Sequence, residues 1–314
     1  SGALEIAIGA LLDEGDALLV PRPGFSLYEV LAAAQGSAVQ YYDLLPERGW
    51  EANMRHLEAL VTPATRAILI NNPSNPCGAV YSEAHLRALL AFAEAHRLPI
   101  IADEIYEGLV FEPHEFFPLA RLTTNVPIIT VGGIAKQFVV PGWRVGWLAL
   151  HDPIGVMADV RDGFHRLSTL IVGANTIVQA AVPAVLTPEP RSAAEASLAR
   201  DTAHYVGTLQ DNARFCFDRL GAIPGLRPVE AQGAMYVMVG LDPSARLSGV
   251  PDGSAFCQLL MAEQAVFVLP GGCFGAPNFF RVVFAGPQDK LAEAFDRIEE
   301  FCRTRLPGAP IHLA

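Results

Sequence analysis

A chain of 314 residues is long enough for one large folded unit and a smaller one, and 51% hydrophobic residues supply a substantial core. A formal net charge of −11, with a pI near 5.2, argues against nucleic acid or an anionic membrane surface as partner. Five cysteines, at spacings that match neither a zinc motif nor a disulfide framework, read as reduced thiols in a cytoplasmic setting.

The chain opens on Ser1-Gly2, directly in a helical pattern and without methionine, so it is expected to be a fragment whose beginning is missing. This start carries acids and no basic flank, unlike a signal peptide. No run reaches the ~18–20 apolar residues of a membrane span. In chain order, the pattern predicts a helix over 3–13, a short strand over 16–20, a helix over 26–35 and an extended segment over 37–44. "RAILINN" (66–72) reads as a buried strand, followed by a helix capped by Ser82 and running to about Arg97. "LPIIADEIY" and "VPIITVGG" are two further apolar strands. This alternation predicts an α/β fold over residues 1–200, a mostly parallel sheet covered by helices on both faces.

A long helical stretch near 190–220 precedes a change of pattern. "GAMYVMVGL", "AVFVLPG" and "NFFRVVFAG" read as strands, with helices near 253–264 and 288–304. These predict a smaller C-terminal α+β domain over 201–314, with "DPSARLSGVPDGS" as its most flexible loop.

Ligands of parallel α/β sheets sit beyond the carboxyl ends of the strands, which directs attention to residues 71–75, 103–106 and 132–136. Of 22 basic residues only Lys136 and Lys290 are lysines, and Lys136 lies in the glycine-rich, apolar "GGIAKQFVVPGWRVGW". Only a primary amine forms an imine with an aldehyde, and its pKa falls readily on desolvation; a guanidinium offers neither property. The two Asn-Pro pairs of "NNPSNPCG" also suit ordinary turns, and Asp103 in "ADEIY" also suits a helix cap or a solvated acid. Arg144, between two tryptophans, is expected to be buried and to need an anionic partner such as a phosphate. Arg281 is a lone charge in an apolar strand, either a ligand-binding residue or an edge position facing water. No metal site is expected: the eight histidines are scattered, and His85 and His96 read as residues of a solvated helix face. Cys273 in "PGGCFG" reads as a loop cysteine near an entrance rather than as a reactive thiol. No Gly-x-Gly-x-x-Gly follows a strand, which excludes a nicotinamide fold of the usual kind.

Six ordered blocks, "VPRPGFSLY", "NNPSNPCGAVYS", "ADEIY", "GGIAKQFVVPGWRVGW", "GAMYVMVG" and "PNFFRVV", resemble the fold-type-I pyridoxal-phosphate (PLP) enzymes. The similarity is to the aspartate-aminotransferase superfamily, in its tyrosine-aminotransferase branch, from residue 1 to about 305. The resemblance implies transamination of tyrosine and related aromatic amino acids with a 2-oxo acid acceptor. Lys136 then matches the lysine that holds PLP as an aldimine and shuttles the substrate proton. Asp103 matches the carboxylate under the pyridine nitrogen, while Tyr106 and Asn75 match the groups that bond the phenolic oxygen. Phe25 matches the aromatic stacked on the ring. Arg144, together with Ser1, Gly2 and Ala3 at a helix N-terminus, matches the phosphate site. Arg281, assisted by Asn75, matches the clamp on the substrate carboxylate. Gly133 stands where many relatives carry a serine, and Gln137 where a basic residue is usual. The resemblance also implies a homodimer in the full-length form. Two alternatives stay open: another PLP reaction, such as a carbon–sulfur β-lyase, and an inactive truncated form.

Overall fold

Strands apolar on both faces must be covered on both, and the main sheet is built that way. The computed structural model describes residues 1–170, 172–187, 192–245 and 247–306. Helix α1 (Gly2–Leu11) leads to β1 (Ala17–Arg22), α2 (Leu27–Ala34), β2 (Ala38–Leu45), β3 (Glu51–Ala52), α3 (Met54–Leu60), β4 (Thr65–Asn71) and α4 (Glu83–His96). Then come β5 (Ile100–Asp103), β6 (Ile128–Gly133) and β7 (Gly146–His151). The seven strands lie in the order β3-β2-β1-β4-β5-β6-β7. The five inner strands run parallel; β3 and β7, at the two edges, are antiparallel to their neighbours. The sheet is mostly parallel and helix-covered, as expected.

Alternation along β4 sorts its side chains between two layers. Ala67 and Leu69 join Leu4, Ile8 and Phe164 on one face, while Ile68 and Ile70 join Leu86, Leu89 and Phe92 on the other. Each such fully buried aliphatic side chain contributes about 1.5–3 kcal/mol. Helix α4 starts where Ser82 accepts a hydrogen bond from the His85 amide at 3.2 Å. His85 itself departs from the solvated-face expectation: it is buried, and its Nε2 accepts from the Ala52 amide at 3.0 Å, tying β3 to α4. Burial holds its pKa below the usual histidine value, which keeps it the neutral acceptor this bond needs. His96 pairs with Glu58 at 2.7 Å.

After β7 come α5 (Ala158–Ser168), α6 (Thr176–Val185) and α7 (Ala193–Gly221). Helix α7 runs 29 residues, so position 200 falls inside it. Beyond it, β8 (Leu226–Pro228), β9 (Tyr236–Leu241), α8 (Gly253–Gln264), β10 (Leu269–Pro270), β11 (Phe279–Val283) and α9 (Gln288–Arg303) form an antiparallel sheet, β10-β11-β9-β8, packed against helices. "AVFVLPG" supplies only two paired residues, because Pro270 has no N–H for the ladder and Gly271–Phe274 turn as a 3₁₀ helix. The 242–254 connection is fixed in part by Ser248, whose amide donates to the Arg305 carbonyl at 2.8 Å; Arg246 within it lies outside the described residues.

Candidate active site

The carboxyl ends of β4, β5 and β6 open onto one cavity of about 1030 Å³. Strand parity aims its floor. Ile101 faces the α1 side of the sheet, so Asp103, two residues on, faces the same way toward Tyr28 at the start of α2. The Tyr28 hydroxyl donates to Asp103 Oδ2 at 2.7 Å, and the Ile105 amide donates to Oδ1 at 3.4 Å. Burial raises the Asp103 carboxyl above its usual range, and these donors only partly offset that. The next residue, Glu104, points to the opposite layer, where it accepts from the Leu119 amide at 3.0 Å; burial pushes its carboxyl up to about 7. After Asp103 the expected strand through Tyr106 gives way to turns, with the Glu107 amide donating to the Glu104 carbonyl.

Asn71 and Asn75 lock the adjoining strand end. Asn71 Nδ2 donates to the Asp103 carbonyl at 3.0 Å, and Asn71 Oδ1 accepts from the Asn75 amide at 2.7 Å. Asn75 Oδ1 in turn accepts from Arg281 Nη1 at 2.7 Å. Arg281 is no water-facing edge residue: β11 lies between β10 and β9. Its guanidinium is sandwiched between Tyr236, 4.3 Å from the ring centroid, and Phe274, at 4.6 Å. Its Nε is buried and has no hydrogen-bond partner. The Tyr106 and Tyr236 hydroxyls pair at 2.8 Å.

Lys136 follows β6 and is half-buried, with Nζ 5.7 Å from the Tyr106 ring centroid. The amine engages no carboxylate among the described residues. At Gly133 a Cβ would lie 2.9 Å from the Val145 carbonyl oxygen, so this strand pairing has no room for the serine of other relatives. Gln137 lies across Gly108 and does not line the cavity. Arg144 departs from expectation: it is exposed, in left-handed conformation (φ 55°), with Nη1 donating to the Pro141 carbonyl at 2.7 Å. The turn Pro141–Trp143 carries it at the rim rather than between packed rings. Across the opening stands the α1 N-terminus. Its first intrahelical bond is Glu5 N–H to the Ser1 carbonyl, so the amides of Gly2, Ala3 and Leu4 lack helical acceptors.

Ser1, Gly2, Ala3, Phe25, Asn75, Asp103, Tyr106, Lys136, Arg144 and Arg281 all line this one cavity. Sequence reasoning left Tyr28, Tyr236 and Phe274 without roles. Aromatics within apolar runs read as core, and only the position of Tyr28 on the turn after Phe25 hinted otherwise. Among the described residues no group of three or more His, Cys, Asp or Glu is placed to hold a metal ion.

These features fit PLP. A buried carboxyl short of a cation suits a protonated ring nitrogen, and free helix amides with Arg144 suit a phosphate. The Arg281 guanidinium, which lines the cavity, suits a carboxylate.

Comparison with known proteins agrees with the geometry. The chain is 45% identical over 306 residues to a tyrosine aminotransferase of Dictyostelium discoideum, covering 97% of this chain and 72% of that protein. It is 44% identical over 303 residues to the human tyrosine aminotransferase, covering 96% of this chain and 65% of that one. Against these two relatives it therefore spans between 65% and 72% of their length. The crystal structure of tyrosine aminotransferase from Leishmania infantum superposes with a TM-score of 0.91 at 37% identity, covering 97% of this chain and 72% of that one. A Thermus thermophilus aspartate aminotransferase double mutant superposes with a TM-score of 0.83 at 29% identity, covering 96% and 73%. The model of the family "Aminotransferase class I and II" matches residues 1–298, and the chain belongs to that family.

Proposed function

We propose that this chain is the PLP-dependent core of an aminotransferase acting on tyrosine and related aromatic amino acids, with a 2-oxo acid as amino acceptor. The observation that carries the reading is the convergence on one cavity of the Lys136 amine, the buried Asp103 carboxyl and Arg281 with its unmatched Nε. When bound, PLP supplies an aldehyde that exchanges imines with amines and a ring that accepts electrons from the substrate Cα.

The residues of the chain divide the remaining work. Asp103, held by Tyr28, would keep a ring nitrogen protonated by setting a buried carboxylate beside it. Arg144 and the amides of Gly2 and Ala3 would hold the phosphate, and Phe25 would pack against the ring. Asn75 and Tyr106 donate to the phenolic oxygen; Asn75 is turned for this because its own Oδ1 is occupied by Arg281. Arg281, flat between two aromatic rings, would take the substrate carboxylate through the cavity-lining part of its guanidinium that Asn75 leaves free. With the cofactor bound, the Lys136 amine would be the base that takes and returns the substrate's Cα proton.

The same proposal includes a homodimer, supported by a run of exposed apolar residues, Leu170, Val172, Ile177 and Leu186, in the α5–α6 region. It also includes a cytoplasmic setting, supported by five unpaired cysteines, and two units that divide within α7.

Incubating the chain with PLP, tyrosine and 2-oxoglutarate tests the reading. 4-Hydroxyphenylpyruvate and glutamate are expected in equal amounts, and both are lost in Lys136→Ala, by at least about 10³-fold. Pyruvate and ammonia released from a cysteine conjugate without any oxo acid, and no 4-hydroxyphenylpyruvate, would overturn it in favour of a carbon–sulfur lyase.

A further inference from the structure

Tyr236 touches two parts of the site at once. From β9 its ring forms the shelf under the Arg281 guanidinium, at 4.3 Å, while its hydroxyl meets the Tyr106 hydroxyl at 2.8 Å. It is 6% exposed, so neither contact is a surface accident. We propose that Tyr236 is a positioning residue that sets the proton of Tyr106 and the plane of Arg281 from a single ring. The inference rests on the reading that the cavity holds PLP beside Lys136.

The argument for the hydroxyl is one of proton counting. Between two paired hydroxyls only one proton lies on the shared bond, and the acceptor's own proton is free to point elsewhere. Tyr106 lines the cavity beside Lys136, so an anionic oxygen bound there favours the state in which Tyr236 donates and Tyr106 aims its proton inward. Asn75 is already committed in the same sense, because its oxygen accepts from Arg281. Both groups thus offer donors to the same place, one through Tyr236 and one through Arg281. The charged and titratable groups facing the pair are Asp103, Lys136, Arg281 and, behind Tyr236, Tyr205 on α7. Tyr28 lies beyond Asp103.

For the ring the argument is geometric. A guanidinium between two aromatic faces keeps its plane, so the part of Arg281 that lines the cavity keeps one aim. Phe274 holds the second face, and its own carbonyl accepts from the Gly24 amide at 3.1 Å, next to Phe25.

The two roles separate by substitution. The visible absorption of the PLP-loaded protein is titrated against pH in wild type, Tyr236→Phe, Tyr236→Leu and Phe274→Leu, alongside KM for tyrosine and for the oxo acid. Tyr236→Phe keeps the shelf and loses the hydroxyl: the apparent pKa of the bound cofactor should rise by ~0.5–1 unit, with KM within about twofold of wild type. Tyr236→Leu should show the same pKa rise and a KM higher by roughly tenfold for both substrates; Phe274→Leu should show the KM change alone. A Tyr236→Phe protein that titrates like wild type overturns the inference, as does one whose KM rises as much as that of Tyr236→Leu. A wild-type chain with no titrating band overturns the functional reading first and this inference with it.

Discussion

The floor and the rim of the cavity are built by different means. On the floor, Tyr28, Asn71, Asn75 and Asp103 are all buried, and each is fixed by a hydrogen bond to another element. The aim of Asn71 and Asp103, at the ends of β4 and β5, follows from strand parity, so it is set as soon as the sheet forms. The rim, residues 136–145, is half-exposed and held by short local bonds: Val139 N–H to the Lys136 carbonyl at 3.3 Å, Trp143 N–H to the Val140 carbonyl at 3.0 Å, and Arg144 to Pro141. It also holds two non-glycine residues in left-handed conformation, Val139 (φ 54°) and Arg144 (φ 55°). The site thus joins a preorganised base to a rim whose order rests on few contacts, and the reactive amine sits where the two meet.

After the loss of Lys136, the largest effect should come from breaking the Arg281 clamp that closes on the floor through Asn75. Arg281→Lys keeps the charge but loses the planar fork, the Asn75 bond and the stacking, and should raise KM for both substrates by about 10²-fold in steady-state assays. A rise confined to one substrate would mean that the two carboxylates are held by different residues.

A second contrast is chemical and lies within the floor. Asp103 and Glu104 are adjacent and both buried, yet one faces the cavity and the other the core. Burial pushes the Glu104 carboxyl up to about 7, from 4.5 for an exposed glutamate. A carboxyl raised on folding binds more protons when folded, so its favourable contribution is present below pH 4.5 and is lost as pH rises through 7. Glu104→Gln keeps an acceptor for the Leu119 amide without the charge. In thermal or denaturant unfolding it should stabilise the protein at pH 8 by up to ~3 kcal/mol and change little at pH 4.5. A variant less stable at pH 8 would show instead that the ionised carboxylate is the stabilising form.

The smallest effect belongs to the rim. Val139, 58% exposed and β-branched at positive φ, carries local strain, so Val139→Gly should relieve up to about 1 kcal/mol in unfolding experiments. A substantial loss of stability would mean that this side chain packs against something that compensates.

The same contrast explains what the sequence makes legible. Apolar runs at 66–72, 98–103 and 126–133 announce buried parallel strands and place Asn71, Asp103 and Lys136 at or just past their carboxyl ends. The lysine scarcity isolates Lys136 by chemistry alone. What stays hidden depends on non-local partners. His85 is buried only because β3 comes to it, and Tyr236 becomes part of the site only because β9 lies beside β11. Edge strand β7 does carry an apolar run, Trp147 to Leu150, but its antiparallel direction and half-exposed faces come from its pairing with β6 at the end of the sheet. Arg144 was expected in the interior because tryptophans flank it, yet the 3₁₀ turn before it swings it outward.

The central claim is that one amine carries the cofactor, and it can be read directly. The chain is loaded with PLP, reduced with borohydride, digested and mapped by mass spectrometry. The account predicts a PLP adduct on Lys136 and none on Lys290, whose amine lies exposed on α9 beside Glu293 at 3.2 Å. An adduct confined to Lys290, or to the amino terminus, would contradict it.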